Sequence, residues 1–136
     1  MKNCWLLKTD PEDYTYGDLE RDGKAVWDGV SNNLALQNLR KVRRGDRLLI
    51  YHTGAEKSIV GEAEAATDPY PDPKATDQKL VVIDVKPRLR AKHAATLAEM
   101  RQMEALASFQ LLRLPRLSVV PVSEQEWSIL AKMTGL

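Results

Sequence analysis

Three short segments carry the residue types from which a binding site for a flat polar molecule is built. Trp27 to Asn33, WDGVSNN, sets an aromatic ring, a turn glycine and three small polar side chains just ahead of a helical stretch. Gly29 lets the backbone approach a ligand with no Cβ in the way, and a helix N-terminus offers unpaired N–H donors. Trp5 to Thr9, which includes Lys8, and Tyr51-His52-Thr53 repeat this pairing of a ring or cation with small hydrogen-bonding groups. Arg116, Leu117 and Ser118, at the start of RLSVVPV, add a fourth contributor. If a curled sheet brings these segments together, a planar heterocycle can stack on a ring and be read at its edges. The plain alternative is packing: Trp5, Trp27 and Tyr51 as core aromatics, Ser31 or Asn32 as a helix cap, and His52 as a strand-end histidine bonded to a backbone carbonyl.

The elements that must position these groups are short. Cys4 to Lys8 reads as a first strand, stopped by Asp10-Pro11. Thr15 with Asp18 is a capping box opening a helix to about Arg21, closed by Asp22-Gly23, and Ala25 to Trp27 is a brief extended piece. A helix is expected over Asn33 to Lys41, with Gly45 as its stop. Arg47 to Tyr51 and Ser58 to Ala66 form a hairpin-like strand pair, while the prolines of DPYPDP (Asp68 to Pro73) confine that stretch to a loop or a sheet edge. Leu80 to Val85 is a β-branched strand. Thr96 with Glu99 caps a helix carrying Leu97, Met100, Met103, Leu106 and Ala107, Leu117 to Val122 is the last strand, and Ser123 with Glu126 caps a terminal helix ending before Gly135. Five or so strands with short helices and hairpins predict an α/β (α+β) domain, a small curled sheet or partial barrel with a cleft at its mouth.

Composition narrows the chemistry. The 136 residues carry a net charge of +1, so contact with a polyanion must come from a local patch. Arg40, Lys41, Arg43, Arg44 and Arg47 crowd one turn and are the candidates for nucleic-acid backbone contact; Lys86, Arg88, Arg90 and Lys92 form a second basic run. Asp10, Glu12, Asp13, Asp18, Glu20, Asp22 and Asp28 gather elsewhere, and both kinds of run also fit a solvated surface. One cysteine, Cys4, and two histidines, His52 and His93, assemble neither a disulfide nor a Cys/His metal site. The seven glycines form no phosphate-binding loop, so no nucleotide cofactor is expected. His52 has serines available but no nucleophile-elbow sequence accompanies it. No membrane span or signal peptide is legible, and a cytoplasmic protein is the default.

The strings CWLLKTDP, WDGVSNNLALQNLR, RRGDRLLIYHT, IVGEAEA, DPYPDP and RLSVVPV, in this order, closely resemble the EVE domain family, which belongs with the PUA-like folds and so is related to the YTH readers of methylated RNA. The resemblance runs over essentially all of residues 1–136 and implies one EVE domain, a PUA-like pseudo-barrel of five to six strands flanked by short helices. It further implies a non-catalytic pocket for a modified nucleobase in DNA or RNA. Trp5, Lys8 and Thr9 match the family's first strand; Trp27, Gly29, Val30 and Asn32 its W-x-G-V-[RH]-N segment; Tyr51, His52 and Thr53 its Y-H-S element; Arg116, Leu117 and Ser118 its R-L-S-V strand. Where the family usually shows Arg and then Tyr-Gln-Ala-Arg, this chain has Ser31 and then Asn33-Leu34-Ala35-Leu36, so two cations and an aromatic are missing near the expected mouth. Two other functions remain open to the sequence: a small enzyme using Lys8, Tyr51 or His52 as acid or base on a nucleoside or amide, and an adaptor binding a protein through DPYPDP.

Overall fold

The computed structural model describes residues 2–136. Strand β1 (Cys4–Thr9) and strand β3 (Arg47–His52) lie side by side in parallel, with Lys8 opposite Tyr51 and Thr9 opposite His52. Between them in sequence come helix α1 (Tyr16–Asp22), strand β2 (Ala25–Trp27) and helix α2 (Asn33–Lys41). The hairpin continues from β3 into β4 (Ser58–Ala65), then the two-residue β5 (Tyr70–Pro71) and the sixteen-residue β6 (Val81–Thr96). Helices α3 (Leu97–Arg101) and α4 (Gln110–Arg113), strand β7 (Val119–Val122) and helix α5 (Glu124–Thr134) complete the chain. Six strands follow the order β2-β6-β4-β3-β1-β7 in a mixed, curled and partly barrel-like sheet, and β5 pairs with β6 off that path.

Local chemistry sets the helix ends. Thr15, Thr96 and Ser123 each form a full capping box with an acid three residues on, and Asn32 accepts from the Ala35 N–H at 3.1 Å to start α2. α2 runs over Asn33 to Lys41 as expected, but its cap is Val42 and not Gly45, which serves instead as the left-handed turn residue leading into β3. Ala35, Leu36 and Leu39 of α2 are buried, and its buried Asn38 amide donates to the Val119 carbonyl at 2.8 Å, tying the helix to β7.

Two expectations fail for identifiable reasons. The strand beginning near Leu80 runs on through Thr96, although Lys86, Arg88, Arg90 and Lys92 give that half no apolar alternation. Its register against β4 shifts twice, once between Glu62 and Ala63 beside Pro87, and its cations meet acids: Lys86 with Glu64 at 3.0 Å, Arg88 with Glu62 at 3.0 Å, and Arg90 with Glu20. The helix expected from Leu97 to Ala107 stops at Arg101, followed by extended Met103 and a single 3-10 turn at Glu104–Leu106. Spacing by threes drifts about 60° per step around an α-helix, so one helix would put Leu97 and Leu106 on opposite faces. The break lets both Met100 and Leu106 enter the core.

Tyr16 welds α1 onto the sheet. Its ring is buried, its hydroxyl donates to the Glu62 carbonyl at 2.6 Å, and Arg90 lies over its face at 5.3 Å. The ring occupies the space in front of Gly61, where a Cβ would come within 2.6 Å of Tyr16 Cζ. Gly61→Ala is therefore expected to cost about 1–3 kcal/mol through overpacking, read as a lower urea midpoint with an unchanged m-value; an unchanged midpoint would mean that the ring moves aside freely.

Candidate functional site

The parallel pairing of β1 and β3 brings Thr9, His52 and Thr53 to one end of the sheet, where the Thr53 N–H donates to the Thr9 carbonyl at 3.0 Å. Thr9 Oγ1 in turn donates to the Tyr14 carbonyl at 2.8 Å. His52 is buried; its Nε2 accepts from the Tyr16 N–H at 3.0 Å and its Nδ1 lies 3.0 Å from Glu56 Oε1, so the proton of the neutral ring sits on Nδ1. The backbone partner of His52 is thus an N–H and not the expected carbonyl. Both contacts hold the chain at Tyr14 to Tyr16 against the strand ends. Tyr14 meets Trp27 edge to face, with ring centroids 6.5 Å apart and planes at 84°.

That aromatic corner walls a cleft of about 490 Å³ lined by Lys8, Thr9, Asp10, Asp13, Tyr14 and residues 25–29. The volume falls within the range of about 300–1,000 Å³ usual for small-molecule sites. Gly29 lies at its mouth with φ of 79°, a left-handed conformation that L side chains rarely adopt. Trp27 is only 8% exposed, so most of its ring serves the core and a margin reaches the cleft. Its indole N–H has no acceptor among the described residues, whereas that of Trp5 donates to Asp46. Lys8 is half-buried, which lowers its pKa, and its ammonium donates to the Pro115 carbonyl at 2.7 Å. Burial first, then the hydrogen bond to Asp22, pushes the Tyr14 phenol up to about 12, so it stays neutral.

The other residues named from the sequence lie around this cleft or away from it. Tyr51 is buried beneath Lys8, whose Nζ is 5.8 Å from the ring centroid, and does not line the cleft. Val30 anchors the loop in the core and Ser31 is exposed. Asn32 is occupied in capping α2, and with Leu34, Leu114, Pro115, Arg116 and Leu117 it lines a neighbouring shelf of about 310 Å³. Ser118 acts through its carbonyl, which accepts from the Lys8 N–H at 3.1 Å. The final strand starts at Val119, so Arg116 sits in an exposed turn ahead of it. Trp5 faces the opposite end: its Nε1 lies 3.1 Å from the buried Asp46 carboxylate, which also accepts from the Asn3 and Arg43 N–H groups.

The basic turn is at that far end too, roughly 16 Å from the cleft mouth at about 3.3 Å per strand residue. Within it Arg40 donates to the Lys79 carbonyl, Arg43 donates to the Arg40 and Val42 carbonyls, and Lys41 and Arg44 extend without a side-chain partner among the described residues. Arg47 belongs elsewhere: it lies over the Trp127 ring at 4.3 Å and pairs with Glu62 at 3.6 Å. Charges near the cleft are reversed. Asp10, Asp13 and Asp28 line it against Lys8 alone. These aspartates and Tyr14 are the lining residues that sequence reasoning passed over, although the gathering of acids on both sides of α1 was their signal. They are not grouped to hold a metal ion.

The family model for the EVE domain matches residues 3–133. The chain belongs to the EVE domain family. Among its relatives, a protein from Rhodopseudomonas palustris has a structure with a TM-score of 0.93 at 36% identity, covering 98% of this chain and 93% of that one. Thymocyte nuclear protein 1 of Mus musculus is 26% identical over 167 residues, covering 98% of this EVE chain and 74% of the relative. The human THYN1 protein in complex with DNA containing 5-methylcytosine has the same fold, with a TM-score of 0.91 at 22% identity over 99% of both chains. The name shared by the curated relatives places those proteins in the nucleus, which overturns the cytoplasmic expectation. No helix among the described residues is long and apolar enough to cross a membrane.

Reactive chemistry is poorly served in this EVE domain. Both His52 nitrogens are engaged, the Tyr51 phenol is buried and its pKa raised by that burial, and the Lys8 ammonium is bound to a carbonyl. Burial pushes the Cys4 thiol up to about 12, against the opposing pull of Arg47. At pH 8 about one thiol in ten thousand is then ionised, and thiolate is the reactive form. Iodoacetamide should accordingly label Cys4 far more slowly in the native protein than in urea; equal rates would show that the thiol is exposed.

Proposed function

We propose that this chain binds a modified nucleobase, without turning it over, in the cleft cornered by Tyr14 and Trp27. The corner supports this reading: with the two rings nearly perpendicular, a planar base lying on one ring meets the other edge-on, and Gly29 leaves the mouth free of a Cβ. The related human THYN1 protein, in complex with DNA containing 5-methylcytosine, supports the same ligand class, and DNA is the polymer we favour. Because Trp27 is only 8% exposed while Tyr14 is partly exposed, Tyr14 supplies the larger share of the stacking surface in this reading.

Magnitudes set the preferred substrate. Stacking on an aromatic is worth about 1–3 kcal/mol, and withdrawing a base from a duplex costs a few kcal/mol. These nearly cancel, so single strands and weakened pairs are the accessible targets. A buried methyl adds about 0.8 kcal/mol, roughly fourfold in affinity, so hydrogen bonds at the base edge carry most of the selectivity. Lys8, in the lining, and Arg116, on the adjoining shelf, lie on one side of the cleft and are the cations that a phosphate of the bound nucleotide would meet.

Tyr14→Ala, with its urea midpoint checked, is the more direct test, because Tyr14 is only partly buried against the core and its hydroxyl contacts only exposed Asp22. It should weaken binding of single-stranded DNA bearing 5-methylcytosine by about five- to hundredfold. Trp27→Ala, with folding verified by its urea midpoint, should weaken it as well. Wild-type affinity in both variants would remove the cleft from the function.

The distance to the basic turn makes a separate prediction. A trinucleotide centred on the modified base extends only one nucleotide to either side of it, well short of Lys41 and Arg44 roughly 16 Å away. Replacing both by Gln should leave trinucleotide affinity unchanged. On a fifteen-nucleotide strand it should flatten the log-log salt slope by about 0.7 for each phosphate that is no longer neutralised. Equal slopes for wild type and variant on the long strand would take the turn out of the binding path.

A further inference from the structure

Taking the cleft as the base site, its electrostatics point to the edge that it reads. Asp13 and Asp28 line it with no hydrogen bond or ion pair to their side chains among the described residues; Asp10 is partly occupied, its Oδ1 accepting from the Glu12 N–H at 2.9 Å. The Lys8 ammonium is drawn off to the Pro115 carbonyl. Among the side chains lining the cleft, two carboxylates are thus free as acceptors, and the Trp27 indole N–H, with no partner among the described residues, is a donor beside them. With three aspartates against Lys8, the lining carries net negative charge.

We infer that Asp13 and Asp28 are specificity-determining residues that select bases whose exocyclic amino group stands beside a ring-nitrogen acceptor, the cytosine and adenine types, over keto bases such as thymine and uracil. Donor and acceptor pairing decides between them. An amino base presents two N–H donors beside a ring-nitrogen acceptor, which matches two carboxylates and one indole N–H. A thymine edge presents one N–H between two carbonyls, so a carboxylate facing its O4 leaves acceptor against acceptor, and neither finds a proton. The same charge keeps a phosphate out of the cleft and on the side of Lys8 and Arg116, which fixes the polarity of the bound nucleotide: base inward, backbone outward.

5-Methylcytosine and thymine isolate this edge, because both carry the C5 methyl and the O2 carbonyl and they differ at position 4 and at N3. Two nine-nucleotide single strands, identical except for a central 5-methylcytosine or thymine, are titrated against the whole chain by fluorescence anisotropy. Wild type should prefer 5-methylcytosine by roughly tenfold or more, since a good edge pairing discriminates by about that factor. In the Asp13→Asn/Asp28→Asn double variant the ratio should fall to about twofold or below, because the new amides can donate to O4. Both positions are exposed, so the variant should keep the wild-type urea midpoint. A wild-type ratio near one, with both strands bound, overturns the inference and leaves the base-binding reading intact. A preference that survives in the double variant also overturns it. Binding of neither strand removes the base-binding reading, and this inference with it.

Discussion

The parallel pairing of β1 with β3 is the constraint on which the cleft depends. Two parallel neighbours cannot be joined by a tight turn, so a crossover must carry the chain from the end of one strand back to the start of the other. Here that crossover is the whole segment from Asp10 to Asp46, containing α1, β2 and α2. Every cleft residue beyond Lys8 and Thr9 lies on it. Hydrogen bonding in the sheet thus fixes one wall and forces the chain to supply the opposite wall from the segment that must return anyway.

The two ends of the paired strands are closed by different chemistry. At the start, the buried Asp46 carboxylate takes hydrogen bonds from the Asn3 N–H, the Arg43 N–H and the Trp5 indole, gathering the N-terminus, the end of the crossover and the core into one knot. Bonds to a charged acceptor are worth more than neutral ones, about 1.5–3 kcal/mol each, and a carboxylate so buried has to be satisfied. At the other end Thr9 and His52 hold Tyr14 and Tyr16 of the crossover with shorter-reach groups, and Thr53 ties the strand end to Thr9. The sheet end that carries the cleft is therefore secured mainly by neutral bonds and keeps its charged side chains facing solvent, where a ligand can meet them.

Most of the elements were legible because their ends are chemical. Thr15 with Asp18, Asn32, Thr96 with Glu99, and Ser123 with Glu126 mark the helix starts, and each forms the bond that its spacing implies. What escaped depends on partners distant in sequence. The second half of β6 is a strand because it pairs with β4, where Glu62 and Glu64, with Glu20 of α1, receive Arg88, Lys86 and Arg90, and no local pattern announces those partners. The break near Met103 follows from a core that wants Met100 and Leu106 on one side. Along the cleft, Lys8, Thr9, Trp27 and Gly29 stood out by type, but Asp10, Asp13 and Asp28 looked like any solvated acidic run until the crossover folded their two stretches together.

The same folding gives meaning to a net charge of only +1. That sum conceals segregation: carboxylates around the cleft, cations at the turn from Arg40 to Arg44, roughly 16 Å away at about 3.3 Å per residue, and β6 cations that meet acids of β4 and α1. With a Debye length of about 8 Å at physiological salt, the basic turn and the cleft barely sense each other. Under the proposed reading, a nucleic acid reaching both would engage two independent terms, one salt-dependent and indifferent to sequence, the other short-ranged and decided by the base edge. The family's usual Arg and Tyr-Gln-Ala-Arg are replaced here by Ser31 and by Asn33 to Leu36, which leaves an exposed Leu34 on the shelf beside Arg116. With no cation at Ser31 or from Asn33 to Leu36, Lys8 and Arg116 are left as the cations beside the cleft, and the basic turn lies too far off to add to them there.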